Sequence, residues 1–185
     1  MSEDDRTAVR SATPEDRRSR FETLYAAHYE SIASYSARRC DTAEDAADVV
    51  AETFLIAWRR LDRVPTDRSA LIWLYATARR VLANQRRGQK RRQGLLTRLR
   101  AVASGSAQHA PHPDRDDPDR PAAIIGAFGR LSAADRELLR LVAWEGLTPS
   151  EAAVVLGRSA GGVRVQLHRA RARFARLLAN EGVEL

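Results

Sequence analysis

Hydrophobic residues recur at intervals of three and four along most of this chain, and that periodicity is typical of amphipathic helices. Three long stretches near the start show it, and Pro65 separates the second from the third. The positions predicted to face inward are Phe21, Leu24, Tyr25, His28, Tyr29, Ile32 and Tyr35, then Ala47, Val50, Phe54, Ala57, Trp58 and Leu61, then Leu71, Leu74, Tyr75, Ala78 and Leu82. No segment alternates as a strand would, so the pattern predicts an all-α fold.

A second pattern, LTPSEAAVVLGRSAGGVRVQLHRAR at residues 147–171, predicts two short helices joined by a tight turn. Thr148, Pro149 and Glu151 fit the cap, the first position and the third position of a helix with a capping box. Gly157 suits the left-handed residue that ends this helix, and Ser159 suits the cap of the next. The segment is therefore predicted to form a helix-turn-helix.

The second of these helices has one apolar and one basic face. Val163, Leu167, Ala170, Phe174 and Leu177 are predicted to pack inward, which leaves Arg164, His168 and Arg171 outside. A solvated basic helix in an ordinary bundle would show the same face. The combination of cap, turn glycine, second cap and basic face favours a DNA-recognition helix instead.

The charge distribution also indicates a nucleic-acid partner. The formal net charge is +7, from 31 basic and 24 acidic residues. Residues 79–100 carry nine basic side chains and residues 158–176 carry six arginines, and neither stretch contains an acidic residue. Two separate basic surfaces are therefore expected, one on each side of the chain's middle.

Composition divides the chain into two domains. Residues 101–121 contain four prolines and four aspartates with almost no large apolar side chain, so this segment is expected to be a flexible linker. The predicted division is a disordered tail over 1–16, a first domain over 17–93, a linker over 94–121, a second domain over 122–180 and a tail over 181–185.

The single cysteine, Cys40, excludes an internal disulfide. No signal peptide or membrane-spanning stretch is evident, which predicts a cytoplasmic protein.

An acidic stripe lies on the second predicted helix, formed by Asp41, Glu44, Asp45, Asp48 and Glu52. A carboxylate-bridged metal site would need further glutamates and Glu-x-x-His pairs on facing helices, and the sequence has none. A solvated face and a docking surface for a basic protein both remain open from the chemistry alone. Nor does the sequence contain a nucleophile paired with a base or a phosphate-binding loop, so no enzyme activity, metal or cofactor is predicted.

The order of the segments resembles a bacterial sigma factor of the extracytoplasmic-function (ECF) type, in the sigma-70 family. FETLYAAHYESI, DAADVVAETFLIAWRRLDRV and LIWLYATARRVLANQRR resemble the sigma-2 domain, and LSAADRELLRLVAWEGLTPSEAAVVLGRSAGGVRVQLHRARARF resembles the sigma-4 domain. The resemblance implies an all-α fold of two small helical domains, a sigma-2-like bundle and a sigma-4-like helix-turn-helix domain, joined by a flexible linker. It also implies that the chain directs RNA polymerase to promoters.

The resemblance implies three binding surfaces. Core RNA polymerase would dock through its β′ clamp helices on the second helix, and the match falls on Asp48, Glu52, Phe54, Leu55 and Trp58. The minus-ten element would be recognised and opened by Arg63, Asp67, Ser69, Arg79, Arg80, Asn84, Arg86 and Arg87. The minus-thirty-five element would be recognised by Arg158, Ser159, Ala160, Gly161, Arg164, Val165 and His168.

The partners implied are core RNA polymerase, through its β′ clamp helices and β flap, and promoter DNA, with an anti-sigma factor as a further candidate; no membrane insertion is implied. The alternative function is an autonomous dimeric helix-turn-helix regulator, which would use the same recognition helix but would need a dimer to span two half-sites. No heptad seam that would form such a dimer is obvious in the sequence.

Overall fold

The computed structural model describes residues 13–101 and 122–180. Within these ranges there are seven α-helices and no strand. The helices are α1 (Pro14–Ala37), α2 (Ala43–Arg59), α3 (Ser69–Ala101), α4 (Ala122–Gly129), α5 (Ala133–Ala143), α6 (Pro149–Leu156) and α7 (Ala160–Ala179), with a 3₁₀ helix at Leu61–Arg63 between α2 and α3. The predicted all-α fold is confirmed.

The start of α1 lies inside the segment predicted as a disordered tail. Thr13 caps the helix by accepting a hydrogen bond from the Asp16 backbone N–H, and the Asp16 side chain accepts one from Thr13 N in return. Pro14 occupies the first helical turn, where no N–H is required. Residues 13–16 contain no large apolar side chain, so the composition alone predicts a tail there. Residues 1–12 lie outside the described residues.

Helices α1, α2 and α3 pack against one another and form a first bundle. Its centre contains Ile32, Tyr35, Val49, Leu74 and Ala78, all fully buried. Three positions predicted to face inward are exposed instead, namely Tyr25, Tyr29 and Ala47. The periodicity located the correct helices but made their buried faces too wide.

Helix α3 continues to Ala101, so residues 94–101, which were assigned to the linker, are helical. Five of its eight residues are leucine or arginine, which are good helix formers. The rest of the predicted linker, residues 102–121, lies outside the described residues, as does the tail at 181–185.

Helices α4 to α7 form a second bundle, in which α7 packs against the other three. Val163, Leu167 and Ala170 are buried as predicted. Leu178 is buried at 2% exposure, whereas the predicted Leu177 is only half-buried. The Phe174 ring meets Phe128 of α4 edge to face at 5.9 Å, which joins the first and last helices of this bundle.

The two bundles are in contact with each other. Helix α3 packs against α6, and one continuous cluster of buried apolar side chains runs from the first bundle into the second. Ion pairs join residues at the end of α1 to α5 and to the loop that follows it. The sequence predicted two domains joined by a linker, and nothing in it indicated that they would pack together.

Candidate nucleic-acid interface

The turn between α6 and α7 has the geometry that its sequence predicted. Thr148 and Glu151 form the capping box of α6, with Thr148 N donating to Glu151 Oε2 at 2.7 Å. These hydrogen bonds, first from the Thr148 backbone and then from its hydroxyl, lower the pKa of Glu151. Gly157 ends α6 with φ of 64°, in the left-handed region that favours glycine. The chain then turns at once into α7, so the two helices are held at a defined angle.

The start of α7 depends on a second glycine. Ser159 caps the helix by accepting a hydrogen bond from Gly162 N at 3.2 Å. A Cβ atom added at Gly162 would stand 3.1 Å from the Ser159 hydroxyl oxygen, closer than most such contacts. Gly162 therefore lets the capping hydroxyl lie close against the first turn.

The predicted minus-thirty-five residues lie together on one exposed surface. Arg158, Ser159, Gly161, Arg164 and His168 are exposed, as is Val165 at 51%; Ala160 is half-buried. They lie in the turn before α7 or within its first nine residues. This surface presents cations, a hydroxyl and an apolar side chain, which are the groups that contact phosphates and base edges in a major groove.

A buried carboxylate supports this surface from behind. Asp135 of α5 is 2% exposed and accepts hydrogen bonds from Gln166 Nε2, at 3.1 Å, and from Arg173, both on α7. Gln166 in turn accepts a hydrogen bond from Arg158. Burial alone would raise the pKa of Asp135, but the hydrogen bonds from Gln166, Ser132 and Arg173 outweigh it and lower the pKa. Asp135 thus ties α5 to two positions of α7.

The residues predicted to contact the minus-ten element fall into three groups. Arg63, Asp67 and Ser69 are exposed around the loop before α3, where Asp67 Oδ1 accepts a hydrogen bond from Ser69 N at 3.0 Å and so caps that helix. Arg80, Asn84 and Arg87 are exposed on one face of α3. Arg79 and Arg86 lie on a different face, and Arg86 donates to the Arg39 carbonyl oxygen at 2.9 Å.

The face of α3 with Arg80 and Asn84 borders a groove of about 270 Å³ between α2 and α3. Arg59 and Arg60, at the end of α2, line the same groove. Sequence analysis did not select these two arginines. They directly precede the segment that contains the candidate DNA contacts Arg63, Asp67 and Ser69, and that adjacency is the signal that would have indicated them.

The predicted polymerase-docking residues do not all share one surface. Asp48, Glu52 and Leu55 are exposed on α2, and neither carboxylate has an ion-pair partner among the described residues. Trp58 is half-buried, with the Arg17 guanidinium 5.2 Å from its ring centre. Phe54 is only 3% exposed, since its ring packs between α1 and α2 at 4.7 Å from Tyr25. Phe54 is therefore a core residue in this structure, and Leu55 is the exposed apolar residue on that face of α2.

Tyr35, which was predicted to face inward, lies between the bundles in a largely buried cluster with four charged residues that sequence analysis did not select: Arg38, Arg39, Glu137 and Glu145. We call this the interbundle cluster. Arg39 Nε donates to Glu137 Oε2 at 3.0 Å and Arg39 Nη1 donates to Glu145 Oε1 at 2.9 Å. Arg38 Nη2 donates to Glu145 Oε2 at 2.6 Å. The side chains of Arg39 and Glu145 are 2% and 1% exposed, so these charges are removed from water.

Within the described ranges, no group of three or more histidine, cysteine, aspartate and glutamate side chains could hold a metal ion. None of the helices in those ranges combines the length and apolar character needed to cross a membrane. Cys40 is half-buried, and burial raises its pKa to about 11.

Comparison with known proteins gives two family-model matches. Residues 24–92 match the model of sigma-70 region 2, and residues 122–174 match that of sigma-70 region 4. The first range falls within the first bundle, and the second range contains the helix-turn-helix.

Curated relatives match over most of their length. The RNA polymerase sigma factor NccH of Alcaligenes xylosoxydans is 31% identical over 75% of this chain and 76% of its own. CnrH of Cupriavidus metallidurans is 33% identical over 72% of this chain and 73% of its own. The ECF RNA polymerase sigma factor SigL of Mycobacterium tuberculosis is 32% identical over 80% of this chain and 82% of its own.

Solved structures show the same fold. CnrH in complex with the cytosolic domain of CnrY matches with a TM-score of 0.58 and 27% identity, over 86% of this chain and 88% of that one. The sigma factor RpoE in complex with the anti-sigma factor NepR from Bartonella quintana matches with a TM-score of 0.59 and 23% identity, over 86% and 96% of the two chains.

Proposed function

This chain belongs to the extracytoplasmic-function sigma factors of RNA polymerase, and from that premise we propose which of its surfaces perform each step of initiation. Sigma factors bind core RNA polymerase and promoter DNA. We infer that residues 17–93 form the sigma-2-like domain and residues 122–180 the sigma-4-like domain. The chain acts in the cytoplasm by binding alone, and polymerase supplies the chemistry.

The polymerase-docking surface is the exposed face of α2 that contains Asp48, Glu52, Leu55 and the accessible edge of Trp58. Two carboxylates without partners among the described residues, beside a leucine that is 39% exposed, favour a partner that presents basic and apolar side chains. The β′ clamp helices are that partner.

The minus-ten element contacts the loop before α3 and the face of α3 that carries Arg80, Asn84 and Arg87. Opening DNA requires a base to leave the stack, which costs a few kcal/mol and must be offset by new contacts. The groove between α2 and α3 is lined by five polar or charged side chains, namely Arg59, Arg60, Thr77, Arg80 and Asn84. We infer that Arg59 and Arg60 hold the backbone of the displaced strand.

The minus-thirty-five element contacts the start of α7, where Arg158, Arg164 and His168 are exposed beside Val165. The observation that carries this assignment is the geometry of the turn. The left-handed Gly157 and the Ser159 cap project the first turn of α7 outward, and Asp135 holds the helix from the other side. A recognition helix reads bases with its N-terminal residues, and these are the exposed ones.

The test is transcription in vitro from a promoter library with purified core polymerase, comparing the wild type with Asp48→Arg/Glu52→Arg and with Arg164→Ala. Charge reversal on α2 should abolish holoenzyme formation, while circular dichroism of the variant stays unchanged. Arg164→Ala should leave holoenzyme formation intact and weaken closed-complex formation by about 1–3 kcal/mol.

Glu22→Arg, a charge reversal at an exposed position of α1, serves as the matched control and should assemble normally. The family matches support a sigma factor and not the autonomous dimeric regulator. Normal assembly of the α2 double variant would show that the acidic stripe is only a solvated face.

A further inference from the structure

The first turns of α7 present few side chains that could contact base edges. Val163 and Leu167 are buried in the second bundle, and the two positions before Val163 are glycines. Within residues 160–168, exposed side chains occur at three positions only: Arg164, Val165 and His168. Val165 is the one apolar side chain among them.

Gln166 lies next to this surface, but its amide is already occupied. A glutamine recognises adenine by donating from its amide nitrogen and accepting with its amide oxygen. In this chain Gln166 Nε2 donates to the buried Asp135 at 3.1 Å, and Gln166 Oε1 accepts a hydrogen bond from Arg158. Both ends of the amide thus have partners within the protein. Gln166 supports the recognition surface, and base contacts fall to its exposed neighbours.

The position of Val165, more than its exposure, distinguishes it. Val154 of α6 is also exposed, at 63%. Side chains on an α-helix lean toward its N-terminus, so each covers the surface over the preceding turn. One turn before Val165 stands Gly161, where an added Cβ would have the Arg164 guanidinium, at 4.0 Å, as its nearest neighbour. The surface that Val165 covers is therefore open, with a cation at its edge.

An aliphatic side chain at this place has one matching group in the major groove. The 5-methyl group of thymine is the apolar substituent among the donors and acceptors that base pairs present there. A donor or acceptor covered by valine would lose its water without gaining a hydrogen-bond partner, which costs free energy. Val165 therefore favours a thymine methyl group and disfavours a polar base edge.

We propose that Val165 is a specificity-determining residue that contacts the 5-methyl group of a thymine in the minus-thirty-five element, in the space left open by Gly161. The inference rests on the assignment of the start of α7 to that element. It adds a chemical requirement that the assignment does not contain. The base pair that faces Val165 is an A·T pair whose thymine methyl group points toward the helix.

The first test removes the methyl group from the DNA. Holoenzyme that contains the wild-type chain first selects duplexes from a pool with a randomised minus-thirty-five region. Each thymine of the selected region, on either strand, is then replaced in turn by deoxyuridine, which pairs identically but lacks the 5-methyl group. At one position this replacement should weaken closed-complex formation about threefold to tenfold. If no replacement had an effect, the proposal would be overturned.

The second test connects the lost methyl group to Val165. Holoenzyme with Val165→Ala should bind the thymine duplex and the deoxyuridine duplex equally, because the aliphatic partner of the methyl group is gone. Val165→Ile keeps a β-branched aliphatic side chain and should retain most of the difference. Val154→Ala removes the same atoms from an exposed valine of α6 and is the matched control, expected to discriminate as the wild type does. Undiminished discrimination by Val165→Ala would mean that another group contacts the methyl, and the proposal would fail.

Arg164→Ala on the same duplexes separates this proposal from the assignment of function. If Arg164→Ala and Val165→Ala both left closed-complex formation unchanged, the start of α7 would not bind the element, and the function assigned to that surface would fail with the proposal. If Arg164→Ala weakened binding while no deoxyuridine did, α7 would remain the recognition helix and the role of Val165 alone would be wrong. Val165 is exposed and alanine is the better helix former, so circular dichroism should show Val165→Ala to be as helical as the wild type.

Discussion

At the scale of single residues, Asp135 shows how one buried carboxylate can govern a recognition surface. It receives hydrogen bonds from Gln166 and Arg173 of α7, and its pKa is lowered despite its burial. A lowered pKa means that the ionised side chain stabilises the fold. This contribution is complete above the pKa of the unfolded chain, near 3.9, and is lost as pH falls through the lower folded pKa.

Asp135→Asn should therefore lower the free energy of unfolding at pH 7 by about 1–3 kcal/mol, because Arg173 loses a charged partner. The difference in the free energy of unfolding between Asp135→Asn and the wild type should become smaller below about pH 4, because Asp135 of the wild type is protonated there. Thermal unfolding followed by circular dichroism at several pH values measures this. Asp41→Asn, at an exposed position, should track the wild type throughout. If the free energies of unfolding of Asp135→Asn and the wild type differed by the same amount down to about pH 2, the ionised carboxylate would not be the stabilising group.

Phe54 and Leu55 are neighbours with opposite roles. Phe54→Ala should cost about 3–5 kcal/mol of stability, because it removes a ring buried between α1 and α2. Leu55→Ala should change stability by less than about 0.5 kcal/mol yet weaken holoenzyme assembly, because that side chain is exposed. Urea unfolding and a polymerase pull-down give the two readouts. Equal loss of stability in both variants would mean that Leu55 also belongs to the core.

At the scale of helices, the features that the sequence predicted correctly are those that depend on residues close together in the chain, such as helix caps and the turn glycine. The caps at Thr148 and Ser159 and the left-handed Gly157 depend on residues within four positions of one another, so their sequence was sufficient. The buried face of α2 was less predictable. Its apolar positions cover more than half the helix, and only the placement of α1 decides that Phe54 is covered while Leu55 is not.

The turn glycine gives a prediction at this scale. Gly157→Ala should destabilise the chain by about 1–2 kcal/mol, because φ of 64° is unfavourable for a residue with a Cβ even where space is open. Gly126→Ala, in the interior of α4 with equally open space, should stabilise by up to about 1 kcal/mol. Thermal unfolding of both variants measures the two changes in stability. If both substitutions stabilised the chain, or both destabilised it, the positive φ of Gly157 would not be the reason that a glycine is needed there.

At the scale of the whole molecule, the sequence could not indicate that the bundles pack together. The partners of Arg38 and Arg39 lie 98 to 107 residues away, and nothing local marks Glu137 or Glu145 as different from any other helical glutamate. Local patterns predict helices and their caps. Which charges meet across two separately predictable domains depends on three-dimensional packing alone.

That packing predicts how the free chain unfolds. Because one apolar cluster and the buried ion pairs run through both bundles, the free protein should unfold in a single calorimetric transition, with equal calorimetric and van't Hoff enthalpies. Glu145 pairs with both Arg38 and Arg39, and Glu145→Gln removes the negative charge that neutralises them in the interface. The two bundles should then unfold separately, in two resolved transitions. Glu22→Gln, which breaks only the exposed pair with Arg18, should retain the single transition. Two transitions in the wild type would show that the contact between the bundles adds too little free energy to couple them.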